Sequence, residues 1–551
     1  MGNQKKSDSN FLIQGSILAM ASLISRVIGL IYRIPMTHII GNAGNSYYSS
    51  AYEIYNILLL ISAYSLPTAV SKLVSARIAK GQRKNAYRIV KGALVLACCT
   101  GLTASLILYF GSGALTTLFK SPLSIFALKI LAPTVFVVAI LGVLRGFFQG
   151  LGTMVPSAFS QVIEQVVNAI VSVAAAMIFY GYGARIGGVL GDPEKYGSAY
   201  GAAGGTLGTN LGAVAALLFI GLLFIAYKRV FKNQMQHDRS EKTESYGAIA
   251  KILLLTIIPV LLSTTIYNIS SIIDLGVYKN VAVYQGYDMD QIDDWWGIFT
   301  GKYKTIINIP IAIASAMAAS CVPNLTKAYE SRRKKAVHHQ INLSIRFIMV
   351  LAFPCMVGVG VLASPILQLL YGDSTEIAAQ ILTHGSLAIL FFTLSTLSNG
   401  LLQGINRLRE PVKNAFISLI LHVILLLVLM LGFNLNIFGV IYANTFFAFC
   451  MCVLNAHSLK KYCGYRQRIK KAFLIPGICS AIMGVAVYFC YKLIQQLSEI
   501  NAISTVVSIL VGILVYVAMM LLLRGLGEEE LSRFPKGAAL VRFFKKLHLL
   551  R

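Results

Sequence analysis

The chain has 551 residues, of which 56% are hydrophobic and 13% are charged. Soluble domains carry about a quarter charged residues, so this composition excludes an ordinary soluble protein. The formal net charge is +27, but the basic residues concentrate in alternate loops, which is typical of membrane proteins and argues against nucleic-acid binding. The nine cysteines follow neither a metal-ligand spacing nor a disulfide pattern.

Apolar segments of about twenty residues recur along the chain, and each is long enough to cross about 30 Å of hydrocarbon as a helix. We therefore predict an all-α polytopic membrane protein with fourteen transmembrane helices. The predicted spans cover residues 11–34, 47–71, 88–110, 124–148, 156–180, 201–227, 250–274, 298–322, 342–370, 377–402, 411–433, 436–458, 472–494 and 501–523.

Positive charge follows the second, sixth, eighth, tenth and twelfth spans. After the second span, residues 72–91 include seven basic residues and no acidic one. The intervening loops are nearly neutral or acidic, as at residues 35–46 and 288–294. Because basic loops stay on the cytoplasmic side of the membrane, we expect both termini to be cytoplasmic.

An internal repeat divides the chain. FQGLGTMVPSAF (residues 148–159) resembles LQGINRLREPVKNAF (residues 402–416), and a second pair of similar segments lies upstream at a common offset. The first six spans and the next six thus form two copies in the same orientation, which predicts a pseudo-twofold axis along the membrane normal. The predicted parts are an N-terminal lobe (1–227), a cytoplasmic linker (228–249), a C-terminal lobe (250–459), two further helices (460–523) and an amphipathic cytoplasmic tail (524–551).

Two arginines lie in the first span. Ionisable residues inside spans are costly and usually face a cavity or a partner. Arg26 lies about 15 residues into the span, or about 22 Å along it, which we expect to be past the midplane toward the outer face. Arg33 follows seven residues later on roughly the same side of the helix. We interpret both as cavity cations; alternatively, Arg26 snorkels or pairs with a neighbouring helix, and Arg33 anchors the interface.

A polar stripe runs along the fifth span and includes Glu164. Its other members, at helical spacing, are Gln161, Gln165 and Asn168. Such a stripe on an apolar helix should face the interior of the bundle. Glu164 is therefore either a coupling or gating carboxylate or the structural partner of Arg145 or Arg26.

Four more charged residues are candidates for function. Glu53 lies in the outer third of the second span, near tyrosines that would suit an interfacial belt. Asp274 ends the seventh span beside polar side chains, where oxygen ligands would bind Na⁺. Lys302 and Lys304 open the eighth span and reach either the cavity or the interface. We expect no cofactor other than a coupling ion, Na⁺ or H⁺.

The sequence also contains a glycine repeat and lacks common catalytic motifs. Gly204, Gly208 and Gly212 repeat every four residues in the sixth span, which predicts a close helix contact. The sequence has no phosphate-binding loop, no zinc-protease helix motif and no nucleophile elbow. We therefore predict a protein that transports a substrate and is not an enzyme.

Several segments together resemble a known family. They are SRVIGLIYRIP (25–35), LPTAVSKLVSARIAKG (66–81), FFQGLGTMVPSAFSQVIEQ (147–165), CVPNLTKAY (321–329) and SPILQLLYG (364–372). The chain resembles the multidrug/oligosaccharidyl-lipid/polysaccharide (MOP) exporter superfamily, and within it the polysaccharide biosynthesis proteins of the stage V sporulation protein B type. These proteins are related to the MurJ-like lipid II flippases, and the resemblance covers nearly the whole chain.

The resemblance implies a flippase in the bacterial cell membrane. Its substrate would be an undecaprenyl-pyrophosphate-linked precursor, such as lipid II or a related lipid-linked oligosaccharide, carried from the inner to the outer leaflet by alternating access. The cavity arginine of the family falls on Arg26, and the second falls near Tyr32 or Arg33, one residue out of register. The family's arginine in the eighth span has no identical match, and Lys302 and Lys304 are nearest to it.

Two other functions are compatible with the sequence. A multidrug or cation antiporter of the same fold would use Glu53, Glu164 and Asp274 to exchange its substrate for H⁺ or Na⁺. A non-transporting scaffold for cell-wall or spore assembly would tolerate the loss of Arg26. The expected partners are membrane lipids and the lipid-linked substrate, together with the cell-wall synthesis machinery, in vegetative cells or in sporulation.

Overall fold

The computed structural model describes residues 2–238, 243–467, 469–523 and 525. Within these ranges the chain forms helices joined by short turns, and none of these residues lies in a strand. The prediction of an all-α protein is therefore confirmed. The predicted amphipathic tail (524–551) lies outside the described residues, apart from Gly525.

The first of two compact units covers residues 1–301. Its helices are α1 (Gly2–Leu59), α2 (Leu66–Ala79), α3 (Arg83–Leu118), α4 (Ile125–Gly150), α5 (Val155–Leu190), α6 (Pro193–Gln234), α7 (Tyr246–Tyr284) and α8 (Met289–Gly297).

A bend divides α1 into two arms. Gly41 has a φ of 68° and a ψ of −173°, which interrupts the helix. This φ lies in the left-handed region, which glycine adopts without the clash of a Cβ atom. The first arm carries Arg26 and Arg33, and the second carries Tyr47 and Tyr48. The bend therefore allows two predicted spans to form within one assigned helix.

The second unit covers residues 302–551. Its helices are α9 (Lys304–Glu330), α10 (Lys334–Val361), α11 (Ala363–Tyr371), α12 (Glu376–Gly385), α13 (Leu387–Gly404), α14 (Arg409–Leu427), α15 (Asn436–Cys463), α16 (Ile475–Ser498) and α17 (Asn501–Leu522). The last two pack on α10, where the Tyr516 hydroxyl donates to the Val350 carbonyl at 2.8 Å.

Twelve helices among the described residues are long and apolar enough to cross a membrane, against fourteen predicted spans. Two features explain the difference. The first two predicted spans lie in one continuous helical run, Met20–Ala79, and the described apolar part of the seventh is the shorter Tyr246–Ile258. The chain is thus a multi-pass membrane protein.

The helix α7 packs with the first unit. Ile249, Leu253 and Ile257 of α7 join an apolar cluster that contains Ile89 and Val90 of α3. The boundary between the compact units therefore falls at residue 301, after the linker predicted at 228–249. Packing and sequence repetition are separate properties, so the assignment of lobes from the repeat stays a prediction.

The glycines of α6 contact α5 closely, as their spacing predicts. A Cβ atom on Gly204 would lie 2.3 Å from the Ala175 carbonyl oxygen, and one on Gly208 would lie 2.6 Å from the Asn168 carbonyl oxygen. On Gly212 it would lie 2.5 Å from the Glu164 carbonyl oxygen. Since the obstructing atoms are backbone atoms, even one methyl group must push the helices apart.

We expect Gly208→Ala to destabilise the protein by about 1–3 kcal/mol, the usual cost of overpacking a tight contact. The matched control is Gly221→Ala in the same helix, because no atom lies within 4 Å of the place that its added methyl group would occupy. Thermal unfolding of the two purified variants in detergent measures the difference. Equal unfolding midpoints would contradict the close contact.

Candidate functional site

The polar stripe of α5 faces the first arm of α1. The Ser22 hydroxyl donates to the Gln161 side-chain oxygen at 3.1 Å, and the Ser25 hydroxyl donates to the Gln161 carbonyl at 3.3 Å. Further along, the Asn168 amide donates to the Tyr32 hydroxyl at 3.4 Å. These contacts fix α1 against α5 and determine where the neighbouring arginines lie.

Arg26 lies next to this contact and is exposed. The described residues form no ion pair with it. Because Ser25 contacts Gln161, six residues into α5, Arg26 lies about 9 Å along α5 from its N-terminal end. The predicted depth of Arg26 past the membrane midplane stays a prediction.

Arg33 lies deeper in the unit and stacks on a tyrosine. Its guanidinium carbon is 5.3 Å from the centre of the Tyr48 ring, a cation–π distance. Tyr48 stacks on Tyr52 at 5.7 Å, and Tyr52 contacts Tyr55 at 5.5 Å. Tyr47 and Tyr48 are buried within the unit at 1% and 2% exposure. The suggested interfacial belt was therefore wrong for these two side chains, and Glu53 beside them is half-buried.

Glu164 pairs with Arg145 of α4. Arg145 Nη2 is 2.7 Å from Glu164 Oε2, and Arg145 Nε donates to the Ser160 hydroxyl at 2.8 Å. The two charged side chains are 14% and 23% exposed, so the pair reaches the surface of the unit. This geometry is the structural pairing that the sequence allowed as one alternative for Glu164.

Asp274 lies in α7 of the first unit, whereas Lys302 and Lys304 belong to the second unit. Asp274 is buried. It lies ten residues before the end of α7, since that helix continues to Tyr284 instead of ending at the predicted boundary. Among the described residues, no group of three His, Cys, Asp or Glu side chains is arranged to hold a metal ion. A Na⁺ site at Asp274 stays a prediction. Lys304 is half-buried in the second unit.

Lys302 forms a buried ion pair within the second unit. Its ammonium lies 2.5 Å from Asp373 Oδ2, and both side chains are 7% exposed. The Thr375 backbone N–H and hydroxyl donate to the other carboxylate oxygen at 2.9 and 2.6 Å. Burial would raise the pKa of Asp373, but the hydrogen bonds from Lys302 and Thr375 outweigh it and lower the pKa. These contacts favour a structural role for Lys302.

The sequence analysis missed one buried pair, Lys279 and Asp293. Lys279 lies in α7 beyond the predicted end of span seven, and its ammonium is 2.6 Å from Asp293 Oδ1 in α8. The acidic character of loop 288–294 was the available signal. It did not reveal burial, because the sequence pattern of an acidic loop is typical of solvent-exposed chain.

Long apolar helices with a few charged side chains between them define the class of protein, a polytopic α-helical membrane protein. The family model described as "Lipid II flippase MurJ" matches residues 119–508, and the model described as "MatE" matches residues 18–174. The chain therefore belongs to the MurJ family, and the predicted relationship to the MOP superfamily is confirmed.

Two curated relatives are from Bacillus subtilis (strain 168). The "Lipid II flippase MurJ" is 27% identical over 87% of this chain and 88% of the relative. The "Stage V sporulation protein B" is 24% identical over 95% of this chain and 98% of the relative. Neither relative is named as an enzyme.

Solved structures share the fold. The structure titled "Lipid II flippase MurJ, inward closed conformation" has a TM-score of 0.66 at 17% identity, over 92% of this chain and 98% of that one. An inward-facing multidrug resistance MATE family transporter of the MOP superfamily has a TM-score of 0.59 at 18% identity, over 79% of this chain and 99% of that one.

The contact between Arg145 and Glu164 predicts energetic coupling. We expect a double-mutant cycle with Arg145→Met and Glu164→Gln to give an interaction free energy of about 0.5–3 kcal/mol, because the two groups touch. Denaturant unfolding of the purified variants measures it. In a control cycle with Arg145→Met and Glu194→Gln, the two changes in unfolding free energy should add. Arg145 pairs with Glu164, and Glu194 lies in the first turn of another helix, α6. Additivity in both cycles would contradict the ion pair.

The lowered pKa of Asp373 predicts acid sensitivity. Its contribution to stability is complete above the unfolded pKa of about 3.9 and is lost as the pH falls through the lower folded value. We expect the unfolding midpoint of the unmodified protein to drop more between about pH 5 and about pH 3 than that of Asp373→Asn. Parallel pH profiles for the two proteins would contradict the assignment.

Proposed function

We propose that this protein is a flippase that moves an undecaprenyl-pyrophosphate-linked cell-wall precursor from the inner to the outer leaflet. Its relatives include a named lipid II flippase and a sporulation protein. The observation that carries the proposal is Arg26, an exposed cation on an apolar helix without an ion-pair partner among the described residues. A membrane protein retains such a charge at a cost, so we infer that an anion binds there.

The chemistry of the head group requires such a cation. A pyrophosphate is a localised negative charge, and moving it unaided through hydrocarbon is prohibitive. A guanidinium is always charged and binds phosphate oxygens through a bidentate fork. We propose that Arg26 binds the head group first, near the N-terminal end of α5, and that Arg33 receives it deeper in the unit. The polyprenyl tail stays in the lipid.

We further propose the arrangement in the membrane. Fourteen crossings and cytoplasmic termini account for the alternation of basic loops. Two six-helix lobes, residues 1–227 and 250–459, would rock about a pseudo-twofold axis and expose the site alternately to each side. A membrane potential that is negative inside would favour outward movement of an anionic head group.

The remaining candidates take secondary roles in this proposal. Lys304 is a further cation for the head group, whereas the ion pair to Asp373 makes Lys302 a structural residue. Glu53 and Asp274 are candidates for coupling to H⁺ or Na⁺. Glu164 is held by Arg145, so it would gate transport only if that pair opens.

A cation antiporter is the second candidate function. The match of residues 18–174 to the MatE model favours it. It would require carboxylates that are available to cationic substrates, and Glu164 is instead neutralised by Arg145. An antiporter would retain drug efflux in Arg26→Ala. A flippase would lose transport of its precursor in that variant, and a scaffold would lose neither cell-wall assembly nor its partners.

The test is depletion of the protein in its native cells, followed by complementation. We expect a lipid-linked precursor to accumulate on the inner leaflet, and its chemical analysis will identify the glycan as lipid II, a teichoic or capsular precursor, or a spore-specific one. Arg26→Ala should reduce exposure of this precursor on the outer leaflet about tenfold or more, since a hydrogen bond to a charged group contributes about 1.5–3 kcal/mol.

The matched control is Arg185→Ala, because Arg185 is an exposed arginine near the other end of α5. It should complement fully, and both variants should reach the membrane in equal amounts. Normal outer-leaflet exposure of the precursor in cells with Arg26→Ala would overturn the proposed role of this residue.

A further inference from the structure

A network of buried polar groups joins α8 to the rest of the first unit. The Lys279 ammonium donates to Asp293 Oδ1 at 2.6 Å and to the hydroxyls of Ser46 and Ser121 at 3.0 Å each. Ser46 also donates to the same Asp293 oxygen at 2.6 Å. Each of these four residues is at most 3% exposed. An ammonium has three N–H donors, so Lys279 is fully satisfied.

The network connects parts of the chain that are distant in sequence. Ser46 belongs to the second arm of α1, and Ser121 lies in the turn between α3 and α4. Lys279 and Asp293 belong to α7 and α8, which follow the predicted linker and thus begin the second sequence copy. All of them lie at the end of the unit that the loop charges assign to the outside of the cell.

A second set of contacts holds α8 directly against α1. The Asn42 amide donates to Asp294 Oδ1 at 2.8 Å. A Cβ atom on Gly297 would lie 1.8 Å from the Asn42 carbonyl oxygen, and one on Gly301 would lie 2.5 Å from the Asn45 side chain. A methyl group at either glycine would clash with α1, so α8 and the turn that follows it lie in close contact with this end of α1.

The chemistry of the network suits a contact that opens. A buried ion pair is seldom more stable than apolar side chains of the same shape, because both charges lose their hydration. When such a contact opens to water, the charges recover that hydration, whereas an apolar contact would expose hydrophobic surface. Fully paired charges therefore allow a closed state that is specific and an open state that is accessible.

We propose that α8 is a reversible outer latch, in which the Lys279–Asp293 pair and Ser46 hold the outer end of the first unit closed and separate when the head group leaves. The latch rests on the proposed flippase function. It assigns a transport role to residues 279 and 293, which lie outside the head-group site at Arg26 and Arg33.

The test compares an apolar latch with the native one. Lys279→Met together with Asp293→Leu keeps the shape and removes both charges, so the closed state should persist. We expect amide hydrogen exchange in segments 42–50 and 286–297 to slow about tenfold in the full-length protein in nanodiscs. Flipping of the precursor in proteoliposomes should fall about tenfold, while binding of the precursor changes less than twofold.

The single variant Asp293→Asn gives the opposite expectation. It leaves the Lys279 charge without its counter-charge, so exchange in the same two segments should accelerate. If this variant fails to fold, the double variant still decides the question. Segment 155–170, the N-terminal part of α5, should exchange equally in every variant.

The matched control is a second ion pair of α8, formed by its Asp290 with Lys195 of α6. Lys195 and Asp290 also form an ion pair, but their side chains are 32% and 65% exposed. Such exposed pairs contribute little, so Lys195→Gln with Asp290→Asn should leave exchange and flipping unchanged.

Two outcomes overturn the latch: wild-type flipping by the double apolar variant, or hydrogen exchange that no variant alters. Hydrogen exchange is measured without substrate, so the latch and the flippase proposal can fail separately. If the unmodified protein flips no lipid-linked precursor while the variants show the expected exchange pattern, the proposed flippase function is refuted. The reversible opening of the outer end is then still supported.

Discussion

The cost of placing charge among apolar helices governs this structure. Two solutions to that cost occur among the described residues. Lys302 and Lys279 are buried with aspartates at hydrogen-bonding distance. Arg145 forms an ion pair with Glu164 and donates a hydrogen bond to Ser160 at the surface of the first unit. Arg26 has neither kind of compensation among the described residues, and for this reason we propose it as the cation that binds the head group.

The same constraint orders the first unit. The polar stripe of α5 is used to position α1, because Gln161 and Asn168 bond to residues of its first arm. The glycines of α6 then bring that helix against α5 at the backbone of Glu164 and Asn168, two residues of the same stripe. One helix thus contacts both α1 and α6, and the position of Arg26 follows from the first of these contacts. Packing and the candidate site are consequently parts of one arrangement.

Much of the candidate site was predictable, but its pairing was not. The apolar periodicity and the isolated charge of Arg26 are local properties, so they indicated a membrane helix with a functional cation. The partner of Glu164 remained open between Arg145 and Arg26, because both are compatible with helical spacing. The depth of Arg26 in the membrane stays a prediction, because hydropathy does not locate the point where a helix enters the membrane. The partner of Lys302 is 71 residues away, and no local pattern encodes such a contact.

The sequence by itself determined the helical class, the membrane location and the family, since these depend on composition, segment length and motifs that are read along the chain. The tertiary structure decided which charges are neutralised. Lys279 and Asp293 would each pass for an ordinary loop charge in the sequence, yet both are buried in one network with Ser46 and Ser121. The reason is physical: the free energy of a charge depends on the atoms around it, and those atoms come from distant segments that only the fold brings together.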